Sequence, residues 1–242
     1  MHHKTKGIVL SIIDYNDKYM LSRIFTSQFG LVTYMVPKSK GKNTKIKRNM
    51  FSLLAVLDME VNHQTTRGIQ RIKECRTELR LDSISCDISK MSIVFFIAEF
   101  LSKVLKEETG DSPQPLFNYL RNSIEILDAT EKGVANFHLV FMLKLTHFLG
   151  FYPNLENYTK NAYFDLMNGE FSLRQPLHNH YISREESFML SRLARITFEN
   201  MRHFRFSGTD RTNVINRMLE YYRIHTHDFS HMKTLDVLHE LF

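Results

Sequence analysis

KGIVLSIIDYNDKYMLSRIFTSQFGLVTYMV, residues 6–36, decides the fold. KGIVLSII is rich in β-branched residues and stops at the turn formers DYNDK; YMLSRIFT follows and stops at SQFG; LVTYMV follows and stops at Pro37. Short β-prone runs separated by such punctuation are strands in a meander. Further on, SLLAVLDMEV predicts a longer strand, with Leu57, Met59 and Val61 on one side and Asp58 and Glu60 on the other. HQTTRG then turns the chain into a fifth strand, IQRIKECRTEL. Five short strands with one long connection after the third fit a small closed barrel of OB type better than a sandwich, which needs seven or more.

The long connection carries PKSKGKNTKIKRN, Pro37 to Asn49, with Lys38, Lys40, Lys42, Lys45, Lys47 and Arg48 and no acidic residue. Residues 1–80 hold 15 Lys and Arg against 6 Asp and Glu, a net of +9, whereas residues 81–242 hold 17 against 20, a net of −3. The positive field therefore belongs to the first third and points to a polyanionic partner there. A lysine-rich loop can be merely solvated. Here it leaves a barrel whose neighbouring strands also carry Lys6, Arg23, Arg67, Arg71, Lys73 and Arg76. Tyr15, Tyr19, Phe25, Phe29 and Tyr34 include candidates for base stacking, Tyr34 being assigned to the DNA-binding set. Ammonium groups and loop amides follow phosphates without reading bases, so weak sequence preference is expected. Six phosphates neutralised on a single strand give a slope of roughly −4 in log K against log salt.

Past Cys86 the apolar period changes to three and four. In ISKMSIVFFIAEFLSKVLKE, the residues Met91, Val94, Phe95, Ala98, Leu101 and Leu105 predict a helix burying one face. Helices are also read in LFNYLRNSIEIL, in ANFHLVFMLKLTHFL, after Ser183 and Glu186 at capping-box spacing, and in two C-terminal segments. YFDLMNGEFSL predicts a β-hairpin turning at Asn168-Gly169. The fold class is α+β: an OB barrel over 1–80, then a helical domain over 81–242 with a hairpin near 163–173.

Other classes are excluded by what the chain lacks. No apolar run approaches the roughly 18 to 20 residues that cross a bilayer, and no secretion signal is read, so a cytoplasmic protein is expected. Cys75 and Cys86 match neither a CxxC pair nor a zinc site and are read as reduced thiols. The histidines of HTHDFSH (225–231) and HNH (178–180) stand two residues or more apart without an HExxH or CxxC frame, so no metal is expected. Neither a phosphate-binding G-x-x-x-x-G-K-[ST] loop nor GxSxG is present, and no catalytic residue or cofactor is assigned.

The opening strands, the FG before the third strand, the P-K-x-x-G-K loop, FSLLAVLDMEV and the later FLGFYPNL together resemble the bacterial recombination mediator family RecO over nearly the full chain. The resemblance implies an OB domain that binds single- and double-stranded DNA, followed by a helical domain. It further implies annealing of complementary strands without ATP, engagement of the acidic tail of the single-stranded-DNA-binding protein SSB, and action with RecR, sometimes RecF, to load RecA. The loop Lys38 to Arg48 matches a DNA-contacting region of that family. Many relatives carry a four-cysteine zinc site after the position of LGFYP; the corresponding stretch here, residues 154–181, has no cysteine. Hairpin packing is expected to replace the metal. An acidic tail ending in an aromatic residue wants an apolar pocket rimmed by a cation, for which Phe117, Leu120 and Arg121 are candidates.

Two rivals belong to other classes: a metal-dependent nuclease using the C-terminal histidines, and a basic scaffold binding an acidic protein or a membrane surface.

Overall fold

Gly7 lies where one strand must serve two neighbours. A Cβ there would meet Met59 Cε at 2.4 Å and Ile24 Cγ2 at 2.5 Å, so only glycine lets the backbone approach this closely. In the computed structural model, β1 (His2–Asp14) pairs with β4 (Val56–Asn62) through His2 to Ile8 and with β2 (Tyr19–Thr26) through Gly7 to Asp14. A bulge between Val9 and Ser11 bends the strand from one partner to the other. The residues described are 2–38, 46–105, 112–226, 229 and 232–241.

β3 (Gly30–Pro37) continues antiparallel from β2, and β5 (Ile69–Thr77) pairs antiparallel with β4. A short parallel ladder, Thr33–Met35 with Ile69–Arg71, joins β3 to β5 and closes the barrel in the order β1-β2-β3-β5-β4. This is the expected OB-type barrel. Alternation sends Met20, Ile24, Val32, Val36, Leu57 and Met59 into its core, each at most 8% exposed. The fourth strand starts later than SLLAV suggests. Leu54 takes a positive φ of 59°, and Ala55 donates its N–H to Ser52 O at 3.1 Å, which closes residues 52–55 into a turn.

Two compact units are present, residues 1–129 and 130–242. In the first, α1 (Ile88–Val104) and α2 (Gln114–Ala129) follow the barrel. α1 is apolar all round, and it buries Ile93, Phe96, Ile97, Phe100 and Leu101 while Met91 and Phe95 are exposed. The buried face was therefore read partly wrongly from a period that several faces of this helix satisfy. Asp128, at the end of α2, accepts the backbone N–H groups of Asp82, Ser83 and Ile84. Burial raises its pKa, but those donors outweigh burial and hold it below the usual carboxylate value. Lys90, only 4% exposed, donates to Ser83 Oγ at 2.6 Å and Asp128 O at 2.7 Å, so its buried ammonium is satisfied.

The second unit packs α3 (Phe137–Leu149), α4 (Arg184–Leu193), α5 (Gly208–His225) and α6 (Thr234–Leu241) with a small sheet. That sheet is the expected hairpin, β6 (Tyr163–Asp165) and β7 (Glu170–Ser172), plus β8 (Tyr181–Ile182) on its other side. The hairpin strands are joined by residues 166–169, a wider loop than the two-residue turn expected at Asn168-Gly169, and of that pair only Gly169 takes a positive φ, 68°. Ser183 caps α4, but Glu186 does not return the bond; its carboxylate pairs with Arg217 at 2.8 Å. The reciprocal capping box lies instead at Ser207 and Asp210, opening α5.

Candidate nucleic-acid interface

The registers of β1, β2, β3 and β5 set two rows of side chains side by side on the outer barrel wall. One row runs Ser11, Arg23, Thr33, Ile69 and the other Ile13, Leu21, Met35, Arg71. Arg23 and Arg71 thus sit two strands apart, roughly 10 Å across the sheet, with half-exposed apolar side chains between them. Arg67 stands exposed in the β4–β5 loop beside this wall. The loop is held by Gln70, whose buried amide donates to Gln64 O at 2.7 Å and accepts from Gln64 N at 2.9 Å. Among the described residues, Arg23, Arg67 and Arg71 form no ion pair, so their charge is available to a ligand. Tyr15 and Tyr19, 57% and 37% exposed, flank the same wall at the β1–β2 turn. Strands 2 and 3 with the two loops beside them are where OB barrels take oligonucleotides.

The opposite wall is electrically compensated. Lys6 pairs with Glu78 at 2.9 Å, Lys73 with Glu60 at 2.7 Å and Arg76 with Asp58 at 2.6 Å. A groove of about 310 Å³ between Lys4, Asp58, Glu60, Glu74, Cys75 and Arg76 mixes both signs. Lys73 holds the Glu60 carboxyl below its ordinary pKa, and burial pushes the Cys75 thiol up to about 11. Sequence reasoning treated Lys6 and Lys73 as equal to Arg23 and Arg71. The structure separates them, because only the register reveals which cations stand opposite carboxylates.

Of the basic stretch, Lys40, Lys42 and Lys45 lie outside the described residues. Lys38 pairs with Asp14 at 2.8 Å and, mainly through that bond, lowers the Asp14 pKa. Lys47 and Arg48 are exposed between Ile46 and Phe51, which are buried in the barrel core at 8% and 2% exposure. Those two anchors present the cations outward.

Three assignments are corrected by burial. Tyr34 is wholly enclosed in the barrel core, so its ring has no face to offer a base. Phe117 and Leu120 are each 1% exposed and form no surface pocket. Arg121 is tied to Glu78 at 3.2 Å and Glu125 at 2.9 Å. The apolar side chains between the unpaired arginines of the outer wall, Leu21, Met35 and Ile69, were missed. Their signal was spacing alone: Leu21 stands two residues before Arg23 and Ile69 two before Arg71, so each shares a strand face with its arginine.

In the second unit, Asp165 gathers the stretch that follows α3. Its Oδ1 accepts from Met167 N and Asn168 N, and its Oδ2 accepts from Asn168 Nδ2 at 2.8 Å and meets His178 Nε2 at 3.3 Å. Phe164, Phe171 and Tyr158 pack edge to face behind it. His225 reaches Leu166 O at 2.9 Å; His227, Asp228 and His231 lie outside the described residues. Among the described residues no group of three or more His, Cys, Asp or Glu is arranged to hold a metal, and no helix is long and apolar enough to cross a membrane.

Comparison with known proteins agrees with this architecture. Residues 1–78 match the family model for the recombination protein O N terminal, and residues 86–234 that for the recombination protein O C terminal. Over 242 residues and the whole of both chains, the sequence is 43% identical to a DNA repair protein RecO of Azobacteroides pseudotrichonymphae. It is 39% identical to one of Bacteroides fragilis over the whole of both chains, and 34% identical to one of Porphyromonas gingivalis over 98% of each. With both halves matched and a barrel of the required order, the chain belongs to the RecO family of DNA repair proteins.

Proposed function

We propose that this chain is a non-enzymatic mediator of DNA repair and homologous recombination in the cytoplasm. It binds single- and double-stranded DNA through the barrel, residues 1–80, and anneals complementary strands without ATP. Residues 81–242 engage SSB and RecR, with RecF in some settings, so that RecA is loaded. The carrying observation is the outer wall of β2, β3 and β5, where Arg23, Arg67 and Arg71 stand without carboxylates in a segment of net charge +9. Cations there screen the repulsion between two sugar-phosphate chains, and base pairing supplies the specificity. The basic stretch from Lys38 to Arg48 adds phosphate contacts that follow no base.

The test is a fluorescence annealing assay on complementary strands, bare and coated with SSB. Faster duplex formation by the wild type, lost when Lys38, Lys40, Lys42, Lys45, Lys47 and Arg48 are changed to Ala together with Arg23 and Arg71, is the expected result. Shortened strands in Mg²⁺ or Mn²⁺ would replace this reading with the nuclease. Unchanged affinity in the variant would remove the barrel from the interface.

A further inference from the structure

The connector from α4 to α5 carries three arginines, Arg195, Arg202 and Arg205, and Arg192 stands in the last turn of α4, against the single carboxylate of Glu199. Outside residues 192–205 the unit that contains it, residues 130–242, holds 9 Lys and Arg against 11 Asp and Glu. The charge is thus concentrated in one segment. Glu199 is engaged by the Thr197 side chain and lies in the field of Lys144, both of which lower its pKa. Arg195, Arg202 and Arg205 are exposed and form no ion pair among the described residues.

This segment is not a loose loop. Thr197 N and Asn200 Oδ1 bond at 2.7 Å, and Asn200 Nδ2 donates to Arg195 O at 2.9 Å. The buried amide of Asn136 donates to Met201 O at 3.0 Å and to Phe204 O at 2.8 Å. Gly133 packs so tightly beneath Arg202 that a Cβ would come within 2.7 Å of its Cα. Arg192 lies over Phe206, 4.4 Å from the ring centroid, and donates to Arg205 O at 3.0 Å. The backbone is therefore fixed before any ligand arrives, which lowers the ordering cost of binding.

Half-buried Phe204 stands between Arg202 and Arg205, whereas Phe198 is stacked on Phe137 at 4.9 Å and lies beneath Lys144, whose Nζ is 5.1 Å from the ring centroid. Cations on both sides of a half-buried ring suit a flexible polyanion with stackable bases. An acidic peptide would want an apolar recess, but Leu190, Leu193, Met201 and Phe206 are closed at 7% exposure or less.

We propose that the α4–α5 connector is a second contact surface for single-stranded nucleic acid, separate from the barrel wall. The inference rests on the annealing function proposed above and adds where the second strand is held. Two strands bound to one chain meet at an effective concentration set by the tether between their sites and not by their bulk dilution.

Native mass spectrometry of the full chain with a thymidine oligomer of about eight nucleotides, short enough for one surface, tests it. Wild type should take two oligomers. Arg195→Gln with Arg202→Gln and Arg205→Gln should take one, as should Arg23→Ala with Arg67→Ala and Arg71→Ala. The connector variant should anneal roughly tenfold more slowly while its thermal transition stays in place, and the matching triple lysine variant should keep the second oligomer. Should the glutamine triple unfold, Arg202→Gln alone is measured, with weakened second-site occupancy expected. Wild type taking one oligomer, lost in the barrel variant, would overturn this proposal alone; wild type taking none would overturn the proposed function with it. A connector variant that still takes two oligomers, or anneals at the wild-type rate, or loses only an acidic peptide, would also overturn it.

Discussion

Glu78 Oε1 lies 2.9 Å from Lys6 Nζ, joining the first strand of the barrel to the residue just beyond its last. The same carboxylate holds Arg121 of α2 at 3.2 Å, so one anion secures both the barrel seam and the helix beside it. Burial raises the Glu78 pKa, but Lys6 and Arg121 outweigh burial and leave it below the ordinary carboxylate value. A depressed folded pKa means the contribution is complete at neutral pH and is lost as pH falls through that lowered value. Glu78→Gln should lower unfolding free energy by about 1 kcal/mol at pH 7, mostly through Arg121, because the half-exposed Lys6 is screened by solvent. Urea titrations at pH 7 and at pH 3 should show the difference between wild type and variant shrinking at the lower pH.

Arg23→Ala with Arg71→Ala should weaken single-strand binding and flatten its salt dependence. Each lost phosphate contact removes roughly 0.7 from the slope of log K against log salt, so the pair should reduce it by about 1.4. Lys73→Ala, which removes a cation already paired with Glu60, should change the slope far less. Fluorescence anisotropy over a salt series measures both.

Gly133 combines a φ of 82° with the close approach to Arg202. Gly133→Ala should cost about 1–3 kcal/mol, the range for a side chain forced into a left-handed conformation, and a clash with backbone adds to it. Calorimetry should show a lowered transition temperature. Gly150→Ala, with φ 81° and open space around it, should cost less.

His138 is wholly enclosed in the second unit, and burial, then the neighbouring charges of Arg211 and His239, lowers its pKa to about 3. The folded state keeps this ring neutral while the unfolded chain protonates it near pH 6.5. Stability should therefore be lost as pH falls below about 6.5, by roughly 1.4 kcal/mol per pH unit until the folded pKa is reached. His138→Phe should remove that part of the slope between pH 6.5 and 5, read by denaturant titration at each pH.

Much of the barrel was legible because its signals are local: β-branched runs, turn formers at residues 14–17 and 27–30, and alternation through Leu57 to Val61. The parallel ladder between Thr33 and Ile69 was not, since nothing local says which strands meet across a long connection. That ladder brings Arg23 and Arg71 onto one wall, so the six strand and loop cations read as one set divide into two walls of different character. Tyr34 illustrates a related limit. An aromatic residue next to lysines reads the same whether it faces out or in, and its alternation with Thr33 and Met35 decides the matter only once the core side is known. In α1 the opposite problem arises: Ile, Met and Phe surround the helix, and periodicity alone does not choose a face.

The barrel is fastened along one short join, and Arg23 and Arg71 straddle it. A ligand lying across both arginines would act as a splint, bracing the hoop at its thinnest stave. Binding should then slow amide exchange in the ladder of Thr33–Met35 with Ile69–Arg71 more than elsewhere in the barrel.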